Sequence, residues 1–353
     1  MASPLAELEG TSRSALTDLL EGSGRAASVW RLLRDGVDPF AEAGGELSSS
    51  LLGRLAKRTR AATLILERVE AAECGTRKLR FGLSDDRKIE TVLIPGSERT
   101  TVCVSSQAGC ARGCIFCVTA TMGLERGLTV GEITGQVVRA VGDARRASLP
   151  PVKNVVFMGM GEPLDNFEAV KEAIGILCDP RALAFAPRHV TLSTVGTTPE
   201  AILRIRELTA PVKIAWSVHA VEDTLRRRLV PTMRHPMAAL REAFLEITKG
   251  GRTLFLEVAL MRGVNDGLEH AEALATFLAP FSAAVRVNLL PMNRGRVGLA
   301  PSTEARTLAY RQCLREKGHF CVIRRARGIA ASAACGQLAV SALDERSPTW
   351  DRP

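Results

Sequence analysis

The sequence predicts an α/β protein: a parallel sheet, either open or closed into a partial (β/α) barrel, preceded by a small N-terminal helical domain and a β hairpin. Three observations carry that expectation. From Thr100 onward, strand-like apolar runs alternate with amphipathic helical stretches six times, the rhythm of a parallel sheet with right-handed crossovers. The first 98 residues lack that rhythm and show short helical patterns followed by a period-two segment. The 353 residues also exceed the roughly 250 of one such barrel and leave room for an added module.

In chain order, SRSALTDLLEGSG and RAASVWRLLRDG read as short amphipathic helices ended by glycine. LSSSLLGRLAKRTRAATLILERVE reads as a further helical stretch opened by capping serines. CGTRKLRFGLSDDRKIETVLIPG alternates around a turn at Ser84-Asp85-Asp86 and predicts the hairpin. The barrel strands are TVCVS, NVVFMG, HVTLST, KIAWSV, LFLEVAL and VRVNLL. Between them lie the helical stretches TVGEITGQVVRAVGDARR, NFEAVKEAIGILC, PEAILRIREL, MAALREAFLEITKG and DGLEHAEALATFL. The expected organisation is an accessory module over 1–98, an α/β core over 99–342 and a flexible polar tail over 343–353.

Composition narrows the function classes. Hydrophobic residues make up 46% and charged residues 24%, which excludes a disordered or collagen-like chain. No apolar run approaches the roughly 18 residues of a membrane span, and Glu7 and Glu9 stand where a signal peptide needs basic and then apolar residues. A cytoplasmic protein without membrane contact is expected. The net charge of +9 favours a polyanionic partner. Only eight of the 47 basic residues are lysine, and arginine suits phosphate forks and base stacking. With 15 aromatic residues in all, base recognition is expected in a pocket, not on an exposed stacking surface.

Nine cysteines, an odd number without an export signal, do not form a disulfide framework. Four of them crowd into CVSSQAGCARGCIFC. Cys110-x3-Cys114-x2-Cys117 follows the first barrel strand, on the kind of βα loop where such folds place their chemistry. Three thiolates so spaced can hold one cubane iron–sulfur cluster and leave its fourth iron without a protein ligand. A structural zinc with Cys103 as fourth ligand is the competing reading. One compact triple, instead of two separate hooks, favours the cluster. Cys74, Cys178, Cys313 and Cys321 read as small core hydrophobes.

CVSSQAGCARGCIFC, NVVFMGMGEPLDN, RHVTLSTVG, WSVHA, GVNDG, NLLPMN and AACGQLA occur in that order. The ordered set resembles the RlmN/Cfr family of radical S-adenosylmethionine (SAM) RNA methyltransferases over nearly the whole chain. The resemblance implies a radical SAM barrel with a [4Fe-4S] cluster on Cys110, Cys114 and Cys117, and two SAM molecules per turnover. It implies that Gly161 and Glu162 hold the methionine ammonium of SAM. Ser193, Ser217, Val218, His219 and Asn293 match the remaining cofactor contacts, and Phe116 would shield the cluster or the adenine ring. Taken singly, a serine or asparagine at such a position makes a turn, and His219 ending an apolar strand is an ordinary core histidine. Their common place at strand ends points to a site.

The resemblance also gives roles to Cys103 and Cys335, which lie 335 − 103 = 232 positions apart. Cys335 would carry a methyl group on sulfur, and Cys103 would resolve the adduct. An adenine ring carbon is a poor nucleophile and would not displace methyl from a sulfonium, whereas a thiolate would. One SAM would therefore methylate Cys335. A second, cleaved reductively at the cluster, would yield a deoxyadenosyl radical that takes hydrogen from the S-methyl group. The resulting carbon radical would add to the base. Attack of Cys103 on the Cys335 sulfur would then release methylated RNA and leave a disulfide, to be reduced by an external electron donor. Glu90, in ETVLIP, matches the family's proton acceptor; read alone it is an exposed hairpin carboxylate.

RNA contact would fall to Arg54, Lys57, Arg58 and Arg60, to the run Arg226-Arg227-Arg228, and to Arg294, Arg296, Arg324, Arg325 and Arg327. Such runs are commonly just solvated faces. Two segments depart from the family pattern. RARGIAASAACGQL is neutral where an acidic stretch is usual, and MNRGRVG follows NLLP in place of WNP. The expected activity is methylation of adenine C2 in 23S ribosomal RNA and in tRNA by a monomeric enzyme. The alternatives are adenine C8 or another RNA as target, and a non-catalytic RNA-binding protein with a structural iron–sulfur or zinc site.

Overall fold

The structure, a computed structural model, describes residues 5–41, 45–61, 64–292, 298–324 and 336–338. It opens with helices α1 (Arg13–Leu20), α2 (Ser23–Arg34) and α3 (Ser49–Arg58), flanked by the paired two-residue strands β1 (Ala6–Glu7) and β2 (Thr59–Arg60). Ser12 caps α1 by accepting the Ala15 amide at 3.2 Å, and Ser48 caps α3 through the Leu51 amide at 3.2 Å. Leu16, Leu20, Trp30, Leu33 and Leu55 are fully buried. The module docks on the first barrel helix, α4 (Val130–Arg146), itself started by a Thr129/Glu132 capping box. At the closest approach a Cβ on Gly36 would lie 2.2 Å from the Gly142 nitrogen, so only glycine lets the two backbones meet there. Arg139 reaches Asp38 at 3.1 Å beside this contact.

The helical reading of residues 47–70 holds only for its first half. Helix α3 ends at Arg58, and β3 (Ile65–Ala71) is a strand antiparallel to β4 (Arg77–Gly82). Its stabilisation is cross-strand: Glu67 pairs with Arg80 at 3.2 Å and Glu70 with Lys78 at 3.3 Å. Periodicity within one segment does not reveal partners on another, and β-branched Ile65 and Val69 favour the extended form. Strands β4 and β5 (Lys88–Pro95) form the expected hairpin, with Asp86 in its turn at φ +63°.

The hairpin continues the barrel sheet, because β5 pairs antiparallel with β6 (Thr100–Cys103). After a small hairpin of β7 (Gln107–Gly109) and β8 (Leu124–Gly127) come β9 (Val152–Phe157), β10 (Val190–Thr194), β11 (Lys213–Ser217), β12 (Leu254–Leu260), β13 (Val285–Pro291) and β14 (Phe320–Ile323). One sheet of ten strands has the order β14-β13-β12-β11-β10-β9-β6-β5-β4-β3, and its parallel part runs from β6 to β14. All six expected barrel strands are present. The short β14 adds a seventh, reached through α10 (Glu304–Glu316). The other helices are α5 (Phe167–Cys178), α6 (Pro199–Leu203), α7 (Asp223–Leu229), α8 (Met237–Thr248) and α9 (Leu268–Leu278).

Alternation along the strands separates two faces. Leu192, Ile214, Trp216, Leu256, Val287 and Leu289 form the buried face, where Trp216 stacks on Phe244 of α8 with ring centroids 4.2 Å apart. On the other face, register aligns Ser193, Ala215, Phe255, Arg286 and Phe320 in one row, and Ser217, Glu257, Asn288 and Val322 in the next. The interior of a closed barrel is packed with Val, Ile and Leu. Here the row nearer the C-terminal strand ends carries Ser217, Glu257 and Asn288, so this part of the interior is a site and not a core.

Candidate active site

The cysteine triple occupies the loop between β7 and β8. The Cys110 amide donates to the Gly123 carbonyl at 2.7 Å, the Cys117 amide to Cys114 at 3.0 Å, and the Ile115 amide to Leu229 at the end of α7 at 3.1 Å. The loop is thus fixed at both ends and at its centre. Burial pushes the Cys110 thiol up to about 12 and the Cys114 thiol higher still, so a metal centre must displace their protons on binding. Next to them Arg226 of α7 is 1% exposed. Its Nη2 donates to the Val195 carbonyl at 2.6 Å, while its Nε and Nη1 are buried without a hydrogen-bond partner among the described residues. Burial lowers its pKa to about 10 against the opposing pull of Cys114 and Glu162. An unsatisfied buried guanidinium close enough to act on the Cys114 thiol fits an anionic, thiolate-bound cluster. The expected RNA contact through Arg226 is corrected by the same burial. A charge run on a helix looks solvated in sequence, but α7 turns this arginine inward.

The mononuclear zinc reading is not supported by the donor positions. Cys103 lies within β6, in register with Val92 and Val156, and does not line the cavity that the triple lines. Among the described residues, no three His, Cys, Asp or Glu side chains converge as a single-ion site.

The cavity measures about 180 Å³ and opens at the C-terminal ends of the parallel strands. Cys110, Cys114, Phe116 and Cys117 of the cysteine loop line it together with Gly161, Glu162, Ser193, Ser217 and His219 from the strand ends. Gly161 has φ +99°, and a Cβ there would lie 2.7 Å from the Cβ of Gln107, so glycine is required. The Glu162 carboxylate, 2% exposed, accepts the Leu164 amide at 3.0 Å and the Val195 amide at 2.9 Å. Burial pushes its pKa up to about 7 against these hydrogen bonds. Glu162 therefore buckles the loop after β9 to the loop after β10.

The Ser193 and Ser217 hydroxyl oxygens lie 3.5 Å apart on neighbouring strands. His219 adopts φ +55°, and its Nδ1 accepts the Ala259 amide at 3.1 Å. Burial, then the Arg226 charge, hold its pKa well below the ordinary value, so the ring is neutral with its proton on Nε2. Phe116 meets it edge-on with centroids 4.5 Å apart. His219 is thus both a satisfied core residue and a cavity wall. Asn265 of the GVNDG motif fixes this corner by donating to the His219 and Ala259 carbonyls at 2.8 and 2.7 Å. Val218 is buried, does not line the cavity, and donates its amide to the Glu257 carbonyl at 3.1 Å.

Sequence reasoning missed Glu257, which lines the cavity and accepts from Asn288 Nδ2 at 2.7 Å. Burial raises its pKa. The available signal was polar Glu257 and Asn288 at inward positions of LFLEVAL and VRVNLL. Glu90 is 2% exposed and meets Lys78 Nζ at 3.1 Å, so it is not an exposed hairpin carboxylate. It lies two residues from Val92, the register partner of Cys103, and so shares that face of the sheet. Cys321 is buried as expected, whereas Cys74 is exposed and Cys178 and Cys313 are half-buried.

Asn293 and Cys335 lie outside the described residues, as do Arg294, Arg296, Arg325, Arg327 and most of both departing segments. Their neighbours are placed. Met292 and Gly336 line the cavity. The Gly336 carbonyl accepts the Val118 amide at 2.7 Å, and the Leu338 carbonyl accepts the Thr119 hydroxyl at 2.7 Å.

The sequence profile of the Radical SAM superfamily matches residues 104–278. The crystal structure of a radical SAM methyltransferase from Sphaerobacter thermophilus superimposes with a TM-score of 0.86 at 36% identity, over 95% of this chain and 99% of that one. Fold and site together define a radical SAM methyltransferase. A probable dual-specificity RNA methyltransferase RlmN of Roseiflexus castenholzii is 38% identical over 95% of this chain and 94% of its own. A probable RNA methyltransferase of Sorangium cellulosum is 44% identical over 78% of this chain and 68% of its own. The chain belongs to the RlmN family of RNA methyltransferases, and with that membership come a [4Fe-4S] cluster and SAM as cofactors. Among the described residues no helix is long and apolar enough to cross a membrane.

Proposed function

We propose that this enzyme methylates adenine at C2 in 23S ribosomal RNA and in tRNA, using two SAM molecules per turnover and a methylated Cys335. When bound, the cluster and SAM supply one-electron cleavage chemistry and the methyl group. Cys110, Cys114 and Cys117 hold the cluster, with Arg226 balancing its charge. Gly161, Glu162, Ser193, Ser217, His219 and Asn293 form the SAM site, Glu162 by fixing the loop and His219 by offering a neutral Nε2–H, while buried Val218 supports the wall from behind through its amide bond to the Glu257 carbonyl.

Cys335 carries the methyl group on sulfur. Cys103 releases the product by forming a disulfide with Cys335, which an external reductant reopens. Glu90 takes up the proton lost from the base, with Lys78 holding its charge. The N-terminal module over 1–98 contacts RNA, and the enzyme works as a monomer in the cytoplasm. The observation that carries this reading is the attachment of the segment after Cys335 to the cysteine loop. Hydrogen bonds from Val118 and Thr119 set Gly336 against the cavity wall.

The test is the Cys335→Ala variant, loaded with cluster under anoxic conditions. It retains its iron and still forms deoxyadenosine from SAM, yet transfers no methyl group to RNA. Normal methylation by this variant would contradict the proposal. A product methylated at adenine C8 would keep the cysteine chemistry and move the target carbon.

A further inference from the structure

The inner face of the sheet continues, below the catalytic cavity, into a second concavity that the reaction leaves unused. At the N-terminal ends of β10 to β13 lies a cavity of about 590 Å³ lined by Arg188, Lys213, Lys249, Arg252, Phe255 and Arg286, with no Asp or Glu among the described residues of its wall. Lys249 has an ion-pair partner, Glu246. Among the described residues, Arg188, Lys213, Arg252 and Arg286 have no carboxylate within ion-pair distance, whereas arginines elsewhere, such as Arg77, Arg126 and Arg204, are paired. Two of the cations lie over rings: Lys213 Nζ is 5.6 Å from the Phe255 centroid, and the Arg286 guanidinium is 5.3 Å from that of Phe320, which is 55% exposed.

We infer that this basic cavity binds backbone phosphates of the substrate RNA, at a distance from the base that reacts. The inference rests on the RNA methyltransferase reading and adds a second contact site to it. Arg188, Lys249 and Arg286 are exposed and Lys213 and Arg252 half-buried, and gathering such cations costs free energy unless an anion neutralises them. That cost is visible at Lys213: burial, then Arg286, Arg324, Arg99 and Arg188, hold its pKa below the usual lysine range.

Position favours RNA over other anionic partners. Phe255 and Arg286 share a row with Ser193, and the adjacent row carries Ser217 and Glu257 of the catalytic cavity. Rows on one face are about 6.5 Å apart, so the two cavities adjoin along the inner face of the sheet. A planar lipid surface does not enter a concavity. Arginine forks and exposed rings together meet phosphates and bases.

The test uses the cluster-loaded enzyme with Arg188→Gln, Arg252→Gln and Arg286→Gln combined. Binding of unmodified ribosomal RNA and tRNA transcripts is measured by anisotropy as a function of salt. Each lost phosphate contact lowers the slope of log K against log salt by about 0.7–0.9, so the triple variant loses about 2–3 in slope and about fiftyfold in affinity near 0.15 M salt. Deoxyadenosine formation in the absence of RNA stays unchanged. A control with ion-paired Arg204→Gln and Arg206→Gln binds RNA like the parent enzyme. Unchanged slope and affinity in the triple variant would overturn the inference. So would a loss confined to inorganic pyrophosphate or to anionic phosphatidylserine vesicles. If the parent enzyme itself neither binds nor methylates RNA, the underlying reading falls too; if it does both while the triple variant matches it, only this inference falls.

Discussion

Thr119 and Leu338, 219 positions apart, are joined by one hydrogen bond: the Thr119 hydroxyl donates to the Leu338 carbonyl at 2.7 Å in a buried setting. The bond ties the segment that follows Cys335 to the residues that follow Cys117. In the proposed mechanism this segment carries a reactive sulfur to a radical centre and has to be held in register with it, since small misplacements cost large factors in rate. Thr119→Val keeps the shape, removes the donor and leaves a buried carbonyl unsatisfied, at a cost of about 1–3 kcal/mol. RNA methylation is expected to fall about tenfold or more, with iron content and deoxyadenosine formation retained. Thr119→Ser restores the rate. Equal methylation by the Val and Thr enzymes would remove this role.

Gly161 is a position in the cavity wall that only glycine fits. Gly161→Ala drives a Cβ into Gln107 and forces alanine to φ +99°, so a loss of about 2 kcal/mol or more in urea unfolding is expected. Gly250 also has positive φ, +86°, but has open space around it. Gly250→Ala is expected to lose only about 1 kcal/mol. Similar losses at the two positions would show that the contact with Gln107 contributes nothing.

Arg226 places a full positive charge beside the cysteine triple. Arg226→Gln should make the reduced cluster less favourable, shifting the midpoint potential to more negative values in an EPR-monitored titration. It should also speed loss of iron to a chelator. Arg226→Lys keeps the charge and should lie between the two. An unaltered potential in the Gln variant would mean that the guanidinium serves only the Val195 carbonyl.

His219 gives the fold a pH dependence of defined sign. The folded ring stays neutral because Nδ1 accepts the Ala259 amide and the site is buried. The unfolded chain protonates it near 6.5, so the unfolded state binds more protons once pH drops below that value. Stability is full above about pH 6.5 and declines below it by up to ~1.4 kcal/mol per unit, until the folded ring protonates. His219→Asn retains an acceptor near Nδ1, tolerates the left-handed backbone and does not titrate. Urea unfolding of the cluster-free protein between pH 5 and pH 7 should be flatter for this variant by about that slope. Parallel curves would place the proton uptake elsewhere.

What the sequence disclosed follows from which forces act locally. The six barrel strands were legible because Leu192, Ile214, Trp216, Leu256 and Val287 recur at period two, and the helices because their apolar stripes and caps lie within single segments. The cysteine triple was legible because its spacing is itself the chemistry. Strand β3 was not, since Glu67 and Glu70 find their partners on β4. The four residues of β14 were too few for a pattern. In the site, the burial of Arg226 and the fastening of the Glu162 carboxylate to two amides arise from loops meeting across the barrel, which spacing along the chain does not record. Glu257 could have been read from its alternation, as an inward acid in a strand otherwise apolar.

The most direct measurement is mass spectrometry of nucleosides after an anoxic reaction of the reconstituted enzyme. The mixture contains a reductant, methyl-deuterated SAM, and ribosomal RNA and tRNA that lack the modification. The account predicts deuterium in 2-methyladenosine, formed together with deoxyadenosine. Deoxyadenosine without any labelled nucleoside from either RNA would contradict it.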